Sequence, residues 1–429
     1  MSDLLKPEGY ADRIVDRQLE RLLQLFGAVE VAGTMWCGKT WTSLAHAASV
    51  TRIGLAGPRS AAEADPSTAL LGAKPHLIDE WQDVPAIWDE TRAAVDAADN
   101  EPGSFILTGS AEPNKDQVHH SGAGRIAKLR MGTMTLQELG LSSGAVSLSG
   151  LFDGRFEPAL VQQRLEPLAR QVCKGGWPAL MRRGDVAPEY IDSYFQGLFD
   201  VSIPRKGLSG DESRRVALSL ARNLGTAAKL STIAEDARIS APSPRAAAER
   251  AAAHVDALQS LYVIDELSGW DAPIRSKSRL RTKPKRYFAD SSLAAGLLQV
   301  TPERLIQDGQ LFGILFESLA LHDLQVYARA LPGAPANPLH YYRDSDGLEV
   351  DAVVELQDGR WAPFEIKLGD NKVPEALRSL KRLREKVAAN PAARNPTPAF
   401  SAVIVGAGEY ARYDREGNAY IIPLTALGA

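Results

Sequence analysis

The alternation of apolar and polar positions predicts an α/β domain at the start of the chain. Residues 10–26 place apolar side chains on one side with charges between them, which is the pattern of an amphipathic helix. Residues 41–49 contain neither glycine nor proline and predict a second helix. Short apolar runs between and after these helices each predict a buried strand of a parallel sheet. The runs lie at residues 29–31, 53–56, 76–81 and 104–110.

The pattern changes in the middle of the chain. Residues 156–225 are mostly helical in pattern, and residues 230–258 predict three packed helices. A strand at 261–264 and a basic hairpin follow, an order that resembles a winged helix-turn-helix. The last part of the chain again predicts an α/β core. Its strands are expected at 341–343, 349–355, 361–368 and 402–405, and its helices at 311–321 and 374–388.

A chain of 429 residues is too long for one ordinary core and predicts several domains. We expect a first domain over residues 1–155, a helical region over 156–225 and a winged-helix-like region over 226–290. An α/β domain is expected over 291–429.

Composition adds three limits. With 45% hydrophobic and 24% charged residues and a net charge of -4, any nucleic-acid surface must be a local cluster. Two cysteines cannot form a disulfide framework or a Cys-rich zinc site, which favours a reducing cytoplasm. Since no apolar run reaches the roughly 18 residues of a bilayer span, we expect no membrane contact.

A phosphate-binding motif lies between the first predicted strand and the helix after it. Residues 33–40 fit the pattern G-x-x-x-x-G-K-[ST], in which backbone N–H groups of a glycine-rich turn surround an anion. Lys39 adds a cation beside the β and γ phosphates, and the Thr40 hydroxyl is placed to bind Mg²⁺. The predicted nucleotide-binding residues here are Gly33, Thr34, Met35, Trp36, Cys37, Gly38, Lys39, Thr40 and Trp41.

Two further strand ends are expected to complete this site. Asp79 and Glu80 close an apolar run: we assign Asp79 to the Mg²⁺ shell and Glu80 to positioning or deprotonating the attacking water. Thr108 or Ser110, at the tip of the next strand, is expected to sense the γ-phosphate or to hold the attacking water; alternatively, these residues only form a turn. Arg125 is expected either as a trans-acting arginine finger in an oligomer or as a salt-bridged surface side chain.

These motifs together resemble the AAA-type ATPase half of a prokaryotic family that joins such an ATPase to a C-terminal domain of unknown function, DUF4143. Gly-Gly-Trp-Pro at 175–178, the segments 285–290 and 313–317, and the stretch 349–367 follow in the family's order, so the resemblance covers nearly the whole chain. One departure is clear. Members of the family usually have a Pro-Arg pair after the first glycine, whereas this chain has Thr34 and Met35, so any role of that arginine is lost or supplied by another residue.

The most basic stretch of the chain follows the predicted winged helix. No acidic residue occurs from 272 to 289, and cations alternate with other residues there. Spacing by two places them on one face of an extended strand, which suits a nucleic-acid backbone or, alternatively, protects a solvated edge strand. DNA is the favoured nucleic acid, and RNA stays an alternative. The cations assigned to this contact are Arg275, Lys277, Arg279, Arg281, Lys283 and Lys285.

A set of charged residues in the last domain resembles the core of the PD-(D/E)xK nuclease fold. Asp351 precedes Glu365 and Lys367, and the latter two face the same side of a strand. Two carboxylates of such a set hold Mg²⁺, and the lysine stabilises charge or helps to deprotonate the nucleophile. Glu317, on an apolar helix, is where that fold often supplies a third carboxylate.

Two functions follow from these patterns. The first is an ATPase that uses ATP and Mg²⁺ to control nucleic-acid binding or metal-dependent processing. The second is a nucleotide-gated regulatory module, of the kind found in defence or toxin–antitoxin systems, with an inactive nuclease-like domain and a partner protein. An oligomer is compatible with either function.

Overall fold

The computed structural model describes residues 4–112, 120–161, 163–183, 188–273 and 275–429. These residues form two compact units. The N-terminal unit comprises Met1–Met134 together with Trp177–Ala179 and Ser260–Tyr262. The C-terminal unit comprises Thr135–Gly176, Leu180–Gln259 and Val263–Ala429.

A five-stranded parallel sheet is the centre of the described N-terminal unit. Its strand order is β2-β3-β4-β1-β5, so the first strand in sequence lies inside the sheet. Its strands are β1 (Ala28–Ala32), β2 (Ser49–Arg52), β3 (His76–Asp79), β4 (Phe105–Gly109) and β5 (Ile126–Arg130), and its helices are α1 (Asp16–Leu23), α2 (Lys39–Ala45), α3 (Ala56–Ala64) and α4 (Ala86–Ala97).

Burial explains which strands the sequence pattern found. Every residue of β1, β3 and β4 is buried, so these strands are mostly apolar runs with few polar side chains. β2 is an edge strand with half-buried or exposed residues, and its sequence Ser-Val-Thr-Arg gives no apolar run. The strand expected at 53–56 was therefore wrong, and α2 ends at Ala45 because Ser49 begins β2.

The C-terminal unit is built on an eight-stranded mixed sheet in the order β7-β15-β16-β14-β13-β12-β11-β9. β13, β14 and β16 run parallel, whereas β11, β12 and β13 form an antiparallel meander. The described strands are β6 (Val146–Ser147), β7 (Ala159–Leu160), β8 (Ile264–Leu267), β9 (Gly269–Trp270), β10 (Lys285–Phe288), β11 (Leu339–Arg343), β12 (Glu349–Glu355), β13 (Trp361–Lys367), β14 (Ala402–Val405), β15 (Tyr410–Asp414), β16 (Ala419–Pro423) and β17 (Leu427–Gly428).

Helices cover this sheet and form the region before it. The long helix α15 and the amphipathic helix α16 both contact β13. The described helices are α5 (Leu148–Phe152), α6 (Leu165–Lys174), α7 (Glu189–Gln196), α8 (Ile203–Arg205), α9 (Gly210–Arg222), α10 (Leu230–Asp236), α11 (Pro244–Ser260), α12 (Ser278–Arg281), α13 (Ser291–Leu297), α14 (Pro302–Gln307), α15 (Gly309–Ala330) and α16 (Val373–Ala388).

The middle region matches the expected order of elements only in part. Residues 230–258 contain two helices, α10 and α11, rather than three, and α9 packs against α10 from the preceding segment. The strand expected at 261–264 begins only at Ile264, because Tyr262 adopts a left-handed turn with φ 58°. β8 and β10 form an antiparallel pair after these helices. The winged-helix assignment stays a prediction.

The basic segment is not the extended strand that its spacing predicted. Residues Ser278–Arg281 form the short helix α12, and β10 begins at Lys285. Side chains two residues apart share one face only in an extended strand. A helical turn within the segment therefore points these cations in different directions. The prediction of six cations on one strand face was wrong.

The core of the C-terminal unit joins α16 to the central strands. Leu380 and Leu383 of α16 are fully buried in a cluster with Trp361 of β13 and Trp270 of β9. The indole rings of Trp270 and Trp361 lie 4.7 Å apart between centroids.

Among the described residues, no helix combines the length and apolar character needed to cross a bilayer.

Truncating this core tests the fold of the C-terminal unit. Leu380→Ala removes a fully buried side chain and should destabilise the unit by about 2–5 kcal/mol, through lost transfer energy and a cavity. Chemical denaturation followed by tryptophan fluorescence measures the loss. Lys381→Ala, at an exposed neighbouring position, is the matched control, and equal midpoints for the two variants would contradict this packing.

Candidate nucleotide site and carboxylate cluster

The phosphate loop joins β1 to α2, as the motif predicts. At Gly33 an added Cβ would lie 2.2 Å from the Met131 carbonyl oxygen, so a side chain cannot be accommodated there. Gly38 adopts φ 102°, a left-handed conformation that favours glycine. Trp36 adopts φ 65° without being a glycine, which is rare for a bulky residue and marks a loop held by its surroundings.

Lys39 and Thr40 begin α2 with their side chains in defined contacts. The Lys39 ammonium donates to the carbonyl oxygens of Gly33 and Thr34, at 3.0 and 2.9 Å, and the residue is buried. Thr40 Oγ1 donates to Asp79 Oδ1 at 2.8 Å. The two polar side chains predicted to act on phosphate and metal therefore lie at the loop itself.

Asp79, at the end of β3, is the common hydrogen-bond partner of Thr40 and Thr108. Its Oδ1 also accepts from Thr108 Oγ1 at 2.6 Å, and Thr108 Oγ1 in turn accepts from the Glu80 backbone N–H at 3.0 Å. The parallel register of β3 and β4 places Asp79 opposite Thr108, which explains the contact. Thr40, Asp79, Glu80 and Thr108 thus come together as the sequence predicted.

Two donors hold the Glu80 carboxylate. Ser110 Oγ donates to Glu80 Oε2 at 2.9 Å, and Gln82 Nε2 donates to the same oxygen. Glu80 itself has a left-handed backbone, with φ 60°, so its side chain leaves the strand direction right after Asp79. The sequence offered Thr108 or Ser110 as a sensor residue. In the structure, Thr108 contacts Asp79 and Ser110 contacts Glu80.

Arg13 was missed by the sequence analysis. Its guanidinium donates to the Cys37 carbonyl of the phosphate loop at 3.0 Å and to the carbonyls of Gly132 and Thr133 at 3.0 and 3.1 Å. The buried Arg13 therefore ties the loop to the segment after β5. No motif marks it, since its partners are carbonyl groups that any residue supplies.

Glu30 is a second missed residue near the site. It lies buried in the middle of β1 and accepts from the Trp81 indole N–H at 3.2 Å. Burial raises its pKa, and the nearby Lys128 opposes this shift. Arg125, in contrast, is an exposed side chain that pairs with Asp96 at 2.7 Å, which agrees with its expected surface salt bridge.

The second predicted site lies on neighbouring strands β12 and β13. The Lys367 ammonium contacts Asp351 Oδ2 at 2.8 Å and Glu365 Oε2 at 2.6 Å. Asp351 Oδ2 also accepts from the Ile366 backbone N–H at 2.7 Å. The acidic pair and the lysine of the predicted nuclease-like set therefore lie together in the described part of the chain.

The two carboxyl groups have opposite electrostatic environments. Burial raises the pKa of Asp351, but the Lys367 and Lys285 ammonium groups outweigh burial and hold that pKa below its usual value. Burial and the Asp351 charge raise the pKa of Glu365 well above its usual range. Glu365 Oε1 is buried and has no hydrogen-bond partner among the described residues.

Glu317 of α15 belongs to the same cluster. Burial, followed by the Asp351 charge, raises the pKa of Glu317 to about 7. Its Oε1 accepts from the Tyr287 hydroxyl at 2.7 Å and lies 3.8 Å from the Lys285 ammonium. The Lys285 ammonium also pairs with Glu349 at 2.6 Å.

Lys285 is therefore not a surface cation. Only 3% of its side chain is exposed, because β10 directs it into the carboxylate cluster. Arg279 is also engaged: its guanidinium forms two hydrogen bonds to the Glu355 carboxylate, at 2.7 and 2.8 Å. The expectation that these two cations face nucleic acid was wrong for that reason. The four predicted cations that stay exposed are Arg275, Lys277, Arg281 and Lys283.

The three predicted metal ligands do not form a ready-made centre. Within the described ranges, no group of three or more His, Cys, Asp and Glu residues is arranged to hold a metal ion. The reason is visible in the contacts, since Lys367 lies between Asp351 and Glu365 while Tyr287 and Lys285 engage Glu317. Asp351 and Glu365 remain a pair of adjacent oxygen donors.

Three family models match separate parts of this chain. Residues 26–140 match an AAA domain, residues 165–304 match a domain of unknown function, DUF8612, and residues 312–427 match a domain of unknown function, DUF4143. The AAA match contains the phosphate loop and the Asp79 network, which supports nucleotide binding there. The DUF4143 match contains the carboxylate cluster except for Lys285 and Tyr287.

Two curated relatives and two solved structures are similar to large parts of this chain. Uncharacterized proteins of Mycobacterium tuberculosis and Mycobacterium bovis are each 27% identical over 373 residues, covering 85% of this chain and 75% of the relative. A Walker-type ATPase of Pyrococcus abyssi aligns with TM-score 0.42 and 14% identity over 69% of this chain and 98% of its own. RuvB of Thermotoga maritima aligns with TM-score 0.27 and 16% identity over 58% of this chain and 88% of its own. The chain thus joins an AAA domain that carries the phosphate loop to a C-terminal DUF4143 domain, as its motifs predicted.

Proposed function

We propose that this chain binds and hydrolyses ATP at the phosphate loop, and that its nucleotide state controls nucleic-acid processing at the carboxylate cluster. The observation that supports hydrolysis is the hydrogen-bonded network of Thr40, Asp79, Thr108 and Glu80. A binding module needs only the loop, whereas a hydrolase also needs an acid beside the metal-binding groups. Glu80 supplies that acid.

The residues present fit a magnesium-bound triphosphate. Thr40 Oγ1 and Asp79 Oδ1 are hard oxygen donors 2.8 Å apart, so both can serve one Mg²⁺ shell. Bound Mg²⁺ would neutralise charge that develops on the phosphates. Lys39 adds a cation, and it must exchange its bonds to the loop carbonyls for phosphate oxygens when nucleotide binds.

Glu80 is the proposed base for the attacking water. Its carboxylate is fixed by Ser110 and Gln82, and its backbone N–H is fixed by Thr108. A base held in this way orients a water without losing freedom during the reaction. Because Thr108 also contacts Asp79, a change in the metal shell reaches Glu80 through one side chain.

Metal-dependent processing of nucleic acid is the proposed role of the carboxylate cluster. The observation that favours it is the buried Glu365 Oε1, which lacks a hydrogen-bond partner among the described residues. Leaving a buried carboxylate oxygen unpaired is costly, and a cation shared with Asp351 would satisfy it. Bound Mg²⁺ would polarise a phosphodiester and acidify a water. Lys367 would then move from the carboxylates toward the substrate.

The exposed cations of the basic segment are the proposed contact with DNA. Arg275, Lys277, Arg281 and Lys283 are all exposed, and no acidic residue interrupts their segment. Contacts of this kind bind the phosphate backbone and carry no base specificity. The regulatory-module alternative retains ATP binding but requires a partner protein and an inactive cluster, so a cleavage assay separates the two functions.

Two substitutions distinguish nucleotide binding from hydrolysis. We expect Lys39→Ala to weaken ATP binding by about ten-fold or more, since it removes the cation beside the phosphates. Glu80→Gln should retain ATP binding but slow hydrolysis by about 10²- to 10⁴-fold. Calorimetry and phosphate release measure these effects, with Lys381→Ala and Glu101→Gln as exposed controls. Hydrolysis by Glu80→Gln at the wild-type rate would show that Glu80 is not the base.

The carboxylate cluster should show metal-dependent cleavage that rises with pH. Glu317 has a pKa of about 7, so at pH 6 it holds a proton that Mg²⁺ must displace. Burial and the Asp351 charge raise the pKa of Glu365 as well, which acts in the same direction. Raising the pH to 8 ionises Glu317 and favours metal binding. We expect cleavage of DNA with Mg²⁺ to increase over this range and to be lost in Lys367→Ala.

Lys381→Ala is the matched lysine control for that assay, because its side chain is exposed on α16. Equal cleavage by wild type and Lys367→Ala would assign the activity to a contaminant. Absence of cleavage with ATP hydrolysis intact would favour the regulatory module instead.

Removing the exposed cations should weaken DNA binding and reduce its salt dependence. Each cation that pairs with a phosphate adds roughly one unit to the slope of log affinity against log salt. We expect the combined Arg281→Ala and Lys283→Ala variant to show a slope smaller by up to roughly two. Fluorescence anisotropy at several salt concentrations measures this slope, and an unchanged slope would show that Arg281 and Lys283 do not contact DNA phosphates.

A further inference from the structure

Exposure separates the tryptophans of this chain into two groups. The chain has seven, and five of them are at most 9% exposed. The two others are Trp36, 40% exposed, and Trp41, 49% exposed. Both lie within residues 33–41, the loop and the first turn of α2. An exposed indole offers a flat apolar surface and an N–H group to a ligand.

Both exposed tryptophans are next to the phosphate-binding residues in sequence. Trp41 follows Thr40 in the first turn of α2, and side chains of a helix lean toward its N-terminus. This geometry predicts that the indole covers surface on the phosphate-loop side of its own Cα. Trp36 belongs to the loop itself, two residues before Gly38.

We propose that Trp41, with Trp36 beside it, stacks on the base of the nucleotide held by the phosphate loop. This inference rests on the proposed nucleotide binding and specifies which part of the ligand the tryptophans recognise. The base is joined to the phosphates through one ribose, so it must lie near the loop that binds them.

Stacking of this kind sets the class of nucleotide. An indole offers a flat π surface and one N–H donor, so it recognises the size of a base more than its edge groups. Purines present the larger ring system. The site should therefore prefer ATP and GTP over CTP and UTP and should distinguish adenine from guanine only weakly.

Tripolyphosphate, which has no base, provides the decisive comparison. Binding of ATP, GTP, CTP, UTP and tripolyphosphate to the full chain with Mg²⁺ is measured by calorimetry. We expect Trp41→Ala to weaken ATP binding by about ten-fold and to leave tripolyphosphate binding unchanged. Trp41→Phe should restore most of the ATP affinity, and Trp36→Ala should give a smaller loss of the same kind. Leu25→Ala, an exposed apolar position in the same unit, is the control.

The possible failures are distinguishable. If Trp41→Ala weakens ATP and tripolyphosphate equally, the residue shapes the loop and the stacking proposal is wrong. If it changes neither, or if pyrimidine nucleotides bind as well as purine nucleotides, stacking is also excluded. If wild type binds neither ATP nor tripolyphosphate, the proposed nucleotide binding itself fails. Equal thermal midpoints of wild type and Trp41→Ala verify that the variant is folded.

Discussion

The N-terminal site depends on one carboxylate oxygen. Asp79 Oδ1 accepts from both Thr40 and Thr108, and these hydroxyls come from α2 and β4. The contact exists only because β3 and β4 pair in parallel with Asp79 opposite Thr108. A slip of one strand by one residue would turn its side chain to the other face of the sheet and separate Asp79 from Thr108. The register of two buried strands thus brings Asp79 and Thr108 together beside the phosphate loop.

The C-terminal cluster satisfies its charges in a different way. Here Asp351 and Glu365 share the Lys367 ammonium, and Lys285 lies between Glu317 and Glu349. Buried ion pairs stabilise a protein weakly as pairs, but loss of one partner leaves an uncompensated charge and is strongly destabilising. The lysines therefore hold the carboxylates together, and Glu365 Oε1 has no hydrogen-bond partner in the part of the chain that the structure describes.

The two sites would respond differently to a cation. In the AAA domain the proposed metal ligands are a hydroxyl and a carboxylate that already share a hydrogen bond, so little would be displaced. In the DUF4143 domain a cation would compete with an ammonium group and with protons on acids of raised pKa. Metal binding there is expected to depend on pH and on the position of Lys367, which offers a physical route to control.

The sequence alone determined the features whose signals are local. The phosphate loop is defined by residue types at fixed spacing, and β1, β3 and β4 are apolar runs because both faces of the sheet are covered. The Glu365 and Lys367 pair follows from the two-residue period of a strand. These signals depend only on neighbours along the chain, so they survive without knowledge of tertiary contacts.

Tertiary structure alone decided the remainder, because the partners lie far apart in sequence. Arg13 contacts Thr133 across 120 residues, and its carbonyl partners leave no trace in residue type. Lys285 has the sequence context of a surface cation, yet β10 directs it toward acids on α15 and β12. The edge strand β2 lacks an apolar pattern since one side of it meets solvent. Where folding brings distant charges together or exposes a strand, composition and spacing carry too little information to predict the outcome.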